Sequence, residues 1–258
     1  MVSTKELDSI RYVKNCLSEV IVRIDLVSPI AELDDSLPKD VSREALRRFP
    51  INEPKPIFTQ EVLVSEKELQ TRKHEFMEWN FFGKSREKRL ALTRDAFFIS
   101  YKHYDKYENL RDDFINVATS FFKDCPQAQP SRLGLRYINE FMDLPGSDVF
   151  DWREYIDESL LGLLAYKVEG SEPSRIFHNY ETVFPEGFNL RFRFGIHNPD
   201  YPAPIRRRVF ILDYDAHHKG LLEQADVPIA LDNYHREIQR LFEKSITDRT
   251  RKVLNEKE

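Results

Sequence analysis

The chain has 258 residues, 41% of them hydrophobic and 12% aromatic, and a formal net charge of −5. That length holds one large domain or two packed halves, and the composition is that of a core-forming protein rather than a low-complexity chain. So mild a negative charge supplies no global attraction to nucleic acid or to an anionic membrane. No run of about 18 apolar residues occurs, so no membrane-spanning helix is expected. Met1 to Arg11 alternates charged and polar residues and lacks the apolar stretch of a secretion signal. Cys16 and Cys125 stand far apart without metal-ligand spacing, which fits unpaired thiols in a reducing cytoplasm.

In chain order, Glu19 to Leu26 alternates with period two and predicts a strand with Val20, Val22, Ile24 and Leu26 on one face. Ser42 is placed to cap a short helix from Arg43 to Phe49, stopped by Pro50. Strands are expected at Phe58 to Val64, Glu75 to Phe82 and Arg89 to Tyr104, the last bent near Asp95. Gly83-Lys84-Ser85 makes the turn before that last strand. From Leu110 to Phe122, Leu110, Phe114, Val117, Ala118 and Phe121 recur at helical spacing.

Cys125 to Ser131, with two prolines, is a seam. Beyond it the same order returns. A strand is predicted from Arg132 to Phe141 and a short helix from Trp152 to Leu164, with Asp151 as its N-cap. Strands follow at Ile176 to Phe184, Phe188 to His197 and Arg208 to Tyr214, with Pro185-Glu186-Gly187 as a tight turn. One long helix is predicted from Leu231 to Leu254. Two β-α-β-β-β-α units, 1–125 and 131–258, therefore predict an α+β protein with an internal duplication, packed as one structural domain. The economical arrangement is a continuous curved antiparallel sheet with helices on one face. This element order resembles the duplicated topology of the TATA-binding protein, and fold analogy carries no function with it.

Arg132-Leu133-Gly134-Leu135-Arg136-Tyr137-Ile138-Asn139, Leu231-Asp232-Asn233-Tyr234-His235 and Leu241 to Asp248 form a distinctive set. With Leu17-Ser18-Glu19-Val20 and the Phe49-Pro50 helix end, they resemble a sporadically distributed family of uncharacterised prokaryotic proteins over nearly the whole chain. The scattered distribution of that family implies horizontal transfer and a setting in mobile or defence-associated loci. It transfers no catalytic residue.

The candidate chemistry lies in the second half. His235 reads either as a general base on the last helix or as a partly buried histidine hydrogen-bonded beneath the sheet. Ser245, Thr247 and Asp248 lie too far along the helix axis to join it in a triad. Asp213-Tyr214-Asp215-Ala216-His217-His218 is the densest group of ligand-type residues. If a strand continues through it, Asp213, Asp215 and His217 share a face; Lys219-Gly220 suggests an exposed turn instead. No metal site and no cofactor is expected. Phosphate-loop, nucleophile-elbow and dinucleotide fingerprints are absent.

Arg136, Arg191 and Arg193 occupy the polar phase of their strands, with Arg23 in the first half and Arg206, Arg207 and Arg208 opening the next strand. They form either a charged cross-strand ladder on a wet sheet face, balanced by Asp25, Glu140 and Asp213, or a platform for an anionic ligand. Tyr137, Tyr180 and Tyr214 would add stacking to such a platform. Three functional readings follow. The leading one is a non-enzymatic binding or assembly module of a prokaryotic cytoplasm, a homodimer through sheet edges or helices, with an anionic ligand or a protein as partner. The second is an enzyme acting on a phosphate-bearing or nucleotide substrate, with Arg136, Arg191 and Arg193 holding the anion and His235 or Asp213 moving a proton. The third is a nucleic-acid-binding protein.

Overall fold

In the computed structural model, residues 10, 12–64, 69–142, 144–146, 148–166 and 168–255 are described, without the side chains of 59–64, 69–74 and 165. The first part of the chain forms β1 (Leu17–Leu26), α1 (Lys39–Arg48), β2 (Ile51–Asn52), β3 (Lys55–Val64), β4 (Leu69–Phe82), β5 (Lys88–Leu92), β6 (Ala96–Tyr101) and α2 (Tyr107–Asp124). The second part forms β7 (Pro130–Phe141), β8 (Ile176–Val183), β9 (Asn189–Ile196), β10 (Phe210–Lys219), α3 (Val227–Ser245) and α4 (Asp248–Asn255). The ten strands make one large antiparallel sheet in the order β2-β4-β5-β6-β1-β7-β10-β9-β8, with β3 also paired to β4. The expected α+β class with an extended antiparallel sheet is therefore observed. The chain divides into two compact units, one of Met1–Val20, Leu135–His218 and Ile229–Glu258, the other of Ile21–Gly134 and Lys219–Pro228.

In the unit built on Ile21–Gly134, Val22, Ile24 and Leu26 of β1 turn inward as the alternation requires. Helix α2 buries the predicted stripe of Leu110, Phe114, Val117, Ala118 and Phe121, and with them Asp113. The Phe97 ring meets those of Phe114 and Phe121 at centroid distances of 5.6 and 5.0 Å. Helix α1 starts at Lys39, before Ser42, because its cap comes from elsewhere: Asp124 Oδ2 accepts from the backbone N–H of Asp40 and of Val41, each at 2.9 Å. The single bent strand expected from Arg89 to Tyr104 is a hairpin, β5 and β6. Thr93 Oγ1 donates to Asp95 Oδ1 at 2.7 Å and the Thr93 N–H to the Ala96 carbonyl at 2.8 Å, which reverses the chain where a bend was expected.

The other unit departs from expectation in three places, the first two of which share a cause. Trp152 to Leu164 is no α-helix but one turn followed by two short 3-10 segments, Glu158–Leu160 and Gly162–Ala165. The long helix predicted from Leu231 to Leu254 is broken into α3 and α4, and Ile246 between them forms a bridge with Ile156. That bridge commits the backbone of both segments. The Asp157 N–H donates to the Ser245 carbonyl at 2.9 Å and the Thr247 N–H to the Tyr155 carbonyl at 3.1 Å, bonds a continuous helix would have made within itself. Asp151 therefore caps no helix: its Oδ1 accepts from the Arg153 backbone N–H at 3.3 Å at the start of the single turn, and its carboxylate pairs with the Arg153 guanidinium. Trp152, Tyr155, Ile156, Phe210 and Tyr214 are all buried and anchor this arrangement. The third departure is β10, which runs on through His217 and His218 instead of ending at Tyr214.

Candidate functional site

Strands β8, β9 and β10 are in register such that Asn179, Arg193 and Asp213 form one row across the sheet and Glu181, Arg191 and Asp215 the next. Period two puts these side chains on one face and Leu190, Phe192, Phe194 and Tyr214 on the other, which is buried. Asp213 is the centre of the polar rows. Arg136, from β7, grips it with two parallel bonds, Nε to Oδ1 at 2.7 Å and Nη2 to Oδ2 at 2.8 Å. Arg193 adds Nη2 to Oδ2 at 2.6 Å. The Asp213 side chain is 5% exposed, while those of Arg136 and Arg193 are 33% and 32% exposed. Arg191 reaches across to Glu181 at 2.8 Å.

Chemically this set is closed at its carboxylate, while Arg193 Nε is a buried donor with no hydrogen-bond partner among the described residues. Both oxygens of Asp213 are engaged by guanidinium N–H groups, and fork-to-carboxylate pairing is among the stronger side-chain interactions. The hydrogen bonds to Asp213 raise the pKa of Arg136 above its ordinary value, outweighing the opposing effect of burial, so the cation is permanent. Each of the three candidate arginines thus faces a carboxylate on its own sheet.

His235 is not part of this set. It lies on α3, its Nδ1 3.0 Å from the Tyr137 hydroxyl and its ring 5.9 Å from the Tyr137 ring. Tyr137 follows Arg136 along β7, so the two side chains leave opposite faces of the strand. The imidazole therefore sits on the helix-covered side, away from the arginines and from Asp213. Tyr137 and Tyr214 share that covered side, and Tyr180 stands opposite Phe192 there, so the tyrosines do not interleave with the arginines. The run at Arg206, Arg207 and Arg208 likewise precedes β10 and does not extend the ladder. Arg206 pairs with Glu172, Arg207 with Asp200, and Arg208 donates to the carbonyls of Leu144, Asp148 and Asp151 while lying over the Trp152 ring.

The Asp213 to His218 segment does continue as a strand, and Asp213, Asp215 and His217 do share its polar phase. His217 Nδ1 is 3.3 Å from the Asp215 carbonyl oxygen, and His218 Nδ1 is 3.1 Å from that of Gly187. Among the described residues no three histidine, cysteine, aspartate or glutamate side chains are grouped to hold a metal ion. No helix among them is long and apolar enough to cross a membrane.

One charged centre was not read from the sequence. Asp113 of α2 accepts from Arg48 Nη1 at 2.6 Å, from Lys88 Nζ at 2.5 Å and from the Tyr101 hydroxyl. It ties α1, β5 and β6 to α2. The signal was present: Asp113 stands three residues after Leu110 and four before Val117, on the apolar stripe itself, where a carboxylate requires buried partners. Comparison of the sequence with protein-family models gives no match, and comparison with curated proteins gives none either.

Proposed function

We propose that this chain is a non-enzymatic binding or assembly module of a prokaryotic cytoplasm. The observation that carries the reading is the closed ladder of Arg136, Arg193 and Asp213, with His235 on the opposite side of β7. A catalytic site needs a base and an anion holder within reach of one substrate atom. Here the carboxylate is occupied by the arginines and the imidazole does not face them. An acidic partner for each candidate arginine also argues against a surface that gathers phosphates, which draws on uncompensated positive charge.

Strand order supports a duplicated scaffold. Outward from β1 the strands are β6, β5 and β4, the last, middle and first of a meander; outward from β7 they are β10, β9 and β8, again last, middle and first. A scaffold of this kind accords with the family resemblance carried by Arg132 to Asn139 and Leu231 to His235. Fluorescence anisotropy with single-stranded and duplex oligonucleotides, and calorimetry with inorganic phosphate, test the reading at low ionic strength. No saturable binding is expected. Binding that falls steeply with salt and is lost in Arg136→Ala and Arg191→Ala variants would return the ladder to the role of an anion site.

A further inference from the structure

The two ends of the sheet are finished differently. At one end β4 is covered by the two-residue β2 and by β3, and β3 opens with Lys55-Pro56, a charge and a residue without an N–H. Charge, proline and brevity are the usual means of blunting an edge. At the other end stands β8, eight residues, Ile-Phe-His-Asn-Tyr-Glu-Thr-Val, with neither proline nor lysine. Its one carboxylate, Glu181, is turned to Arg191 of its own sheet. Among the described residues no strand pairs with the outer side of β8.

The Phe184 N–H donates to the Phe188 carbonyl at 2.8 Å, and Val183 stands opposite Asn189. Alternation from that bond directs the backbone groups of the even-numbered residues of β8 to β9 and those of Phe177, Asn179, Glu181 and Val183 outward. Gly195 allows β8 to lie close: its φ is +146°, and a Cβ there would stand 2.2 Å from the Ile176 carbonyl oxygen. The exposed apolar residues of β8 are Phe177, Tyr180 and Val183, at 44%, 57% and 70% exposure. They are spaced evenly, with Tyr180 at the centre.

We propose that β8 is a self-association edge, pairing antiparallel with β8 of a second copy about a two-fold axis at Tyr180. That axis sets Tyr180 beside Tyr180 of the partner subunit, Phe177 opposite Val183 of the partner subunit, and Asn179 opposite Glu181 of the partner subunit. All three exposed apolar side chains are covered by one operation, no like charges face each other, and the outward backbone groups meet in hydrogen-bonded pairs. Moving the axis to Asn179 sets Phe177 against Glu181 of the partner subunit and Val183 against Arg175 of the partner subunit. Moving it to Glu181 sets two carboxylates opposite one another. An isologous contact of this kind closes at two copies. It rests on the reading of the chain as an assembly module and names the surface that assembles.

Sedimentation velocity of the full chain across micromolar concentrations reads the outcome, with Val183→Lys and Asn179→Pro as variants and circular dichroism as the fold control. Val183 is exposed, so V183K keeps the fold, and Asn179 directs its N–H outward, so N179P removes a donor from the interface and not from the β9 pairing. The chain is expected to be a dimer, and each variant to weaken dimerisation roughly tenfold or more. In Tyr180→Cys the two introduced thiols stand in a non-hydrogen-bonded pair, with Cα atoms about 4.5 Å apart, a separation a disulfide spans. Oxidised glutathione, itself reduced to two thiols, is expected to give a covalent dimer in Y180C and none in the parent chain, whose Cys125 is buried and whose Cys16 thiol is pushed up to about 12 by burial. A dimer that survives both V183K and N179P, with no Y180C cross-link, overturns the β8 edge and leaves assembly standing through another surface. A chain monomeric throughout overturns both.

Discussion

Asp113 and Asp213 are both nearly buried carboxylates, 8% and 5% exposed, and each takes two cations. Their partners differ. Arg48 and Lys88 around Asp113 are 13% and 18% exposed and come from α1 and β5, with Tyr101 of β6 as a further donor. Arg136 and Arg193 around Asp213 are a third exposed and come from β7 and β9 of the same sheet. The first arrangement holds a helix to other elements, and removing its centre leaves Lys88 without its carboxylate while Arg48 keeps Glu44 at 2.5 Å. The second lies flat across neighbouring strands, and its arginines need only swing outward to be solvated. The burial of the partners, more than that of the carboxylate, decides which is a tertiary lock and which a ladder.

The largest expected effect is therefore at Asp113. Asp113→Ala is predicted to destabilise the fold by about 3–5 kcal/mol in denaturant unfolding, the cost of breaking a buried pair from one side. Asp213→Ala is predicted to cost less, about 1–3 kcal/mol. Equal losses at the two sites would erase the distinction between lock and ladder. Tyr101→Phe is predicted to cost about 1 kcal/mol near neutral pH. It also sharpens the comparison through pH, because burial and the bond to Asp113 raise the Tyr101 pKa well above its ordinary value. Above a pH of about 10 the unfolded chain loses that phenolic proton while the folded chain keeps it. The unfolded state then binds fewer protons, so stability falls as pH rises. Melting temperatures followed from neutral pH to beyond this point should decline less steeply in Y101F than in the parent chain. The smallest effect is expected at the ladder's outer rung: Arg191→Ala should change stability by about 1 kcal/mol or less, and less still at high salt.

What the sequence made legible follows from local periodicity. Alternation in β1 and β9 and the stripe of α2 were plain, because each is set by residues two, three or four apart. The arginine and aspartate phases were legible for the same reason, and with them the possibility that they neutralise one another. The β5–β6 hairpin, reversed by Thr93, Asp95 and Ala96, was a local failure; those at α1, at the Ile156–Ile246 bridge and at His235 needed a partner distant in sequence. Asp124 caps α1 from 84 residues away from Asp40. The bridge between Ile156 and Ile246 removes one predicted helix and divides another; the local signals, Gly162 in the first segment and Thr247 accepting the Thr250 N–H at 3.3 Å in the second, do not by themselves name that pairing. His235 was read as a chemical candidate because its helix was visible, while the side of the sheet it faces depends on how α3 meets Tyr137. The even spacing of Phe177, Tyr180 and Val183 was in the sequence, but its meaning depends on β8 being the last strand of the sheet.

In the ladder Arg136 and Asp213 are partners of each other rather than parts of a site for something else. A double-mutant cycle in denaturant unfolding, with Arg136→Ala, Asp213→Ala and the double variant, measures that directly. The predicted result is a favourable coupling of roughly 1–3 kcal/mol, with the double variant less destabilised than the sum of the singles. A coupling indistinguishable from zero, with stability unchanged in Arg136→Ala, would contradict the ladder and leave Arg136 waiting for a ligand.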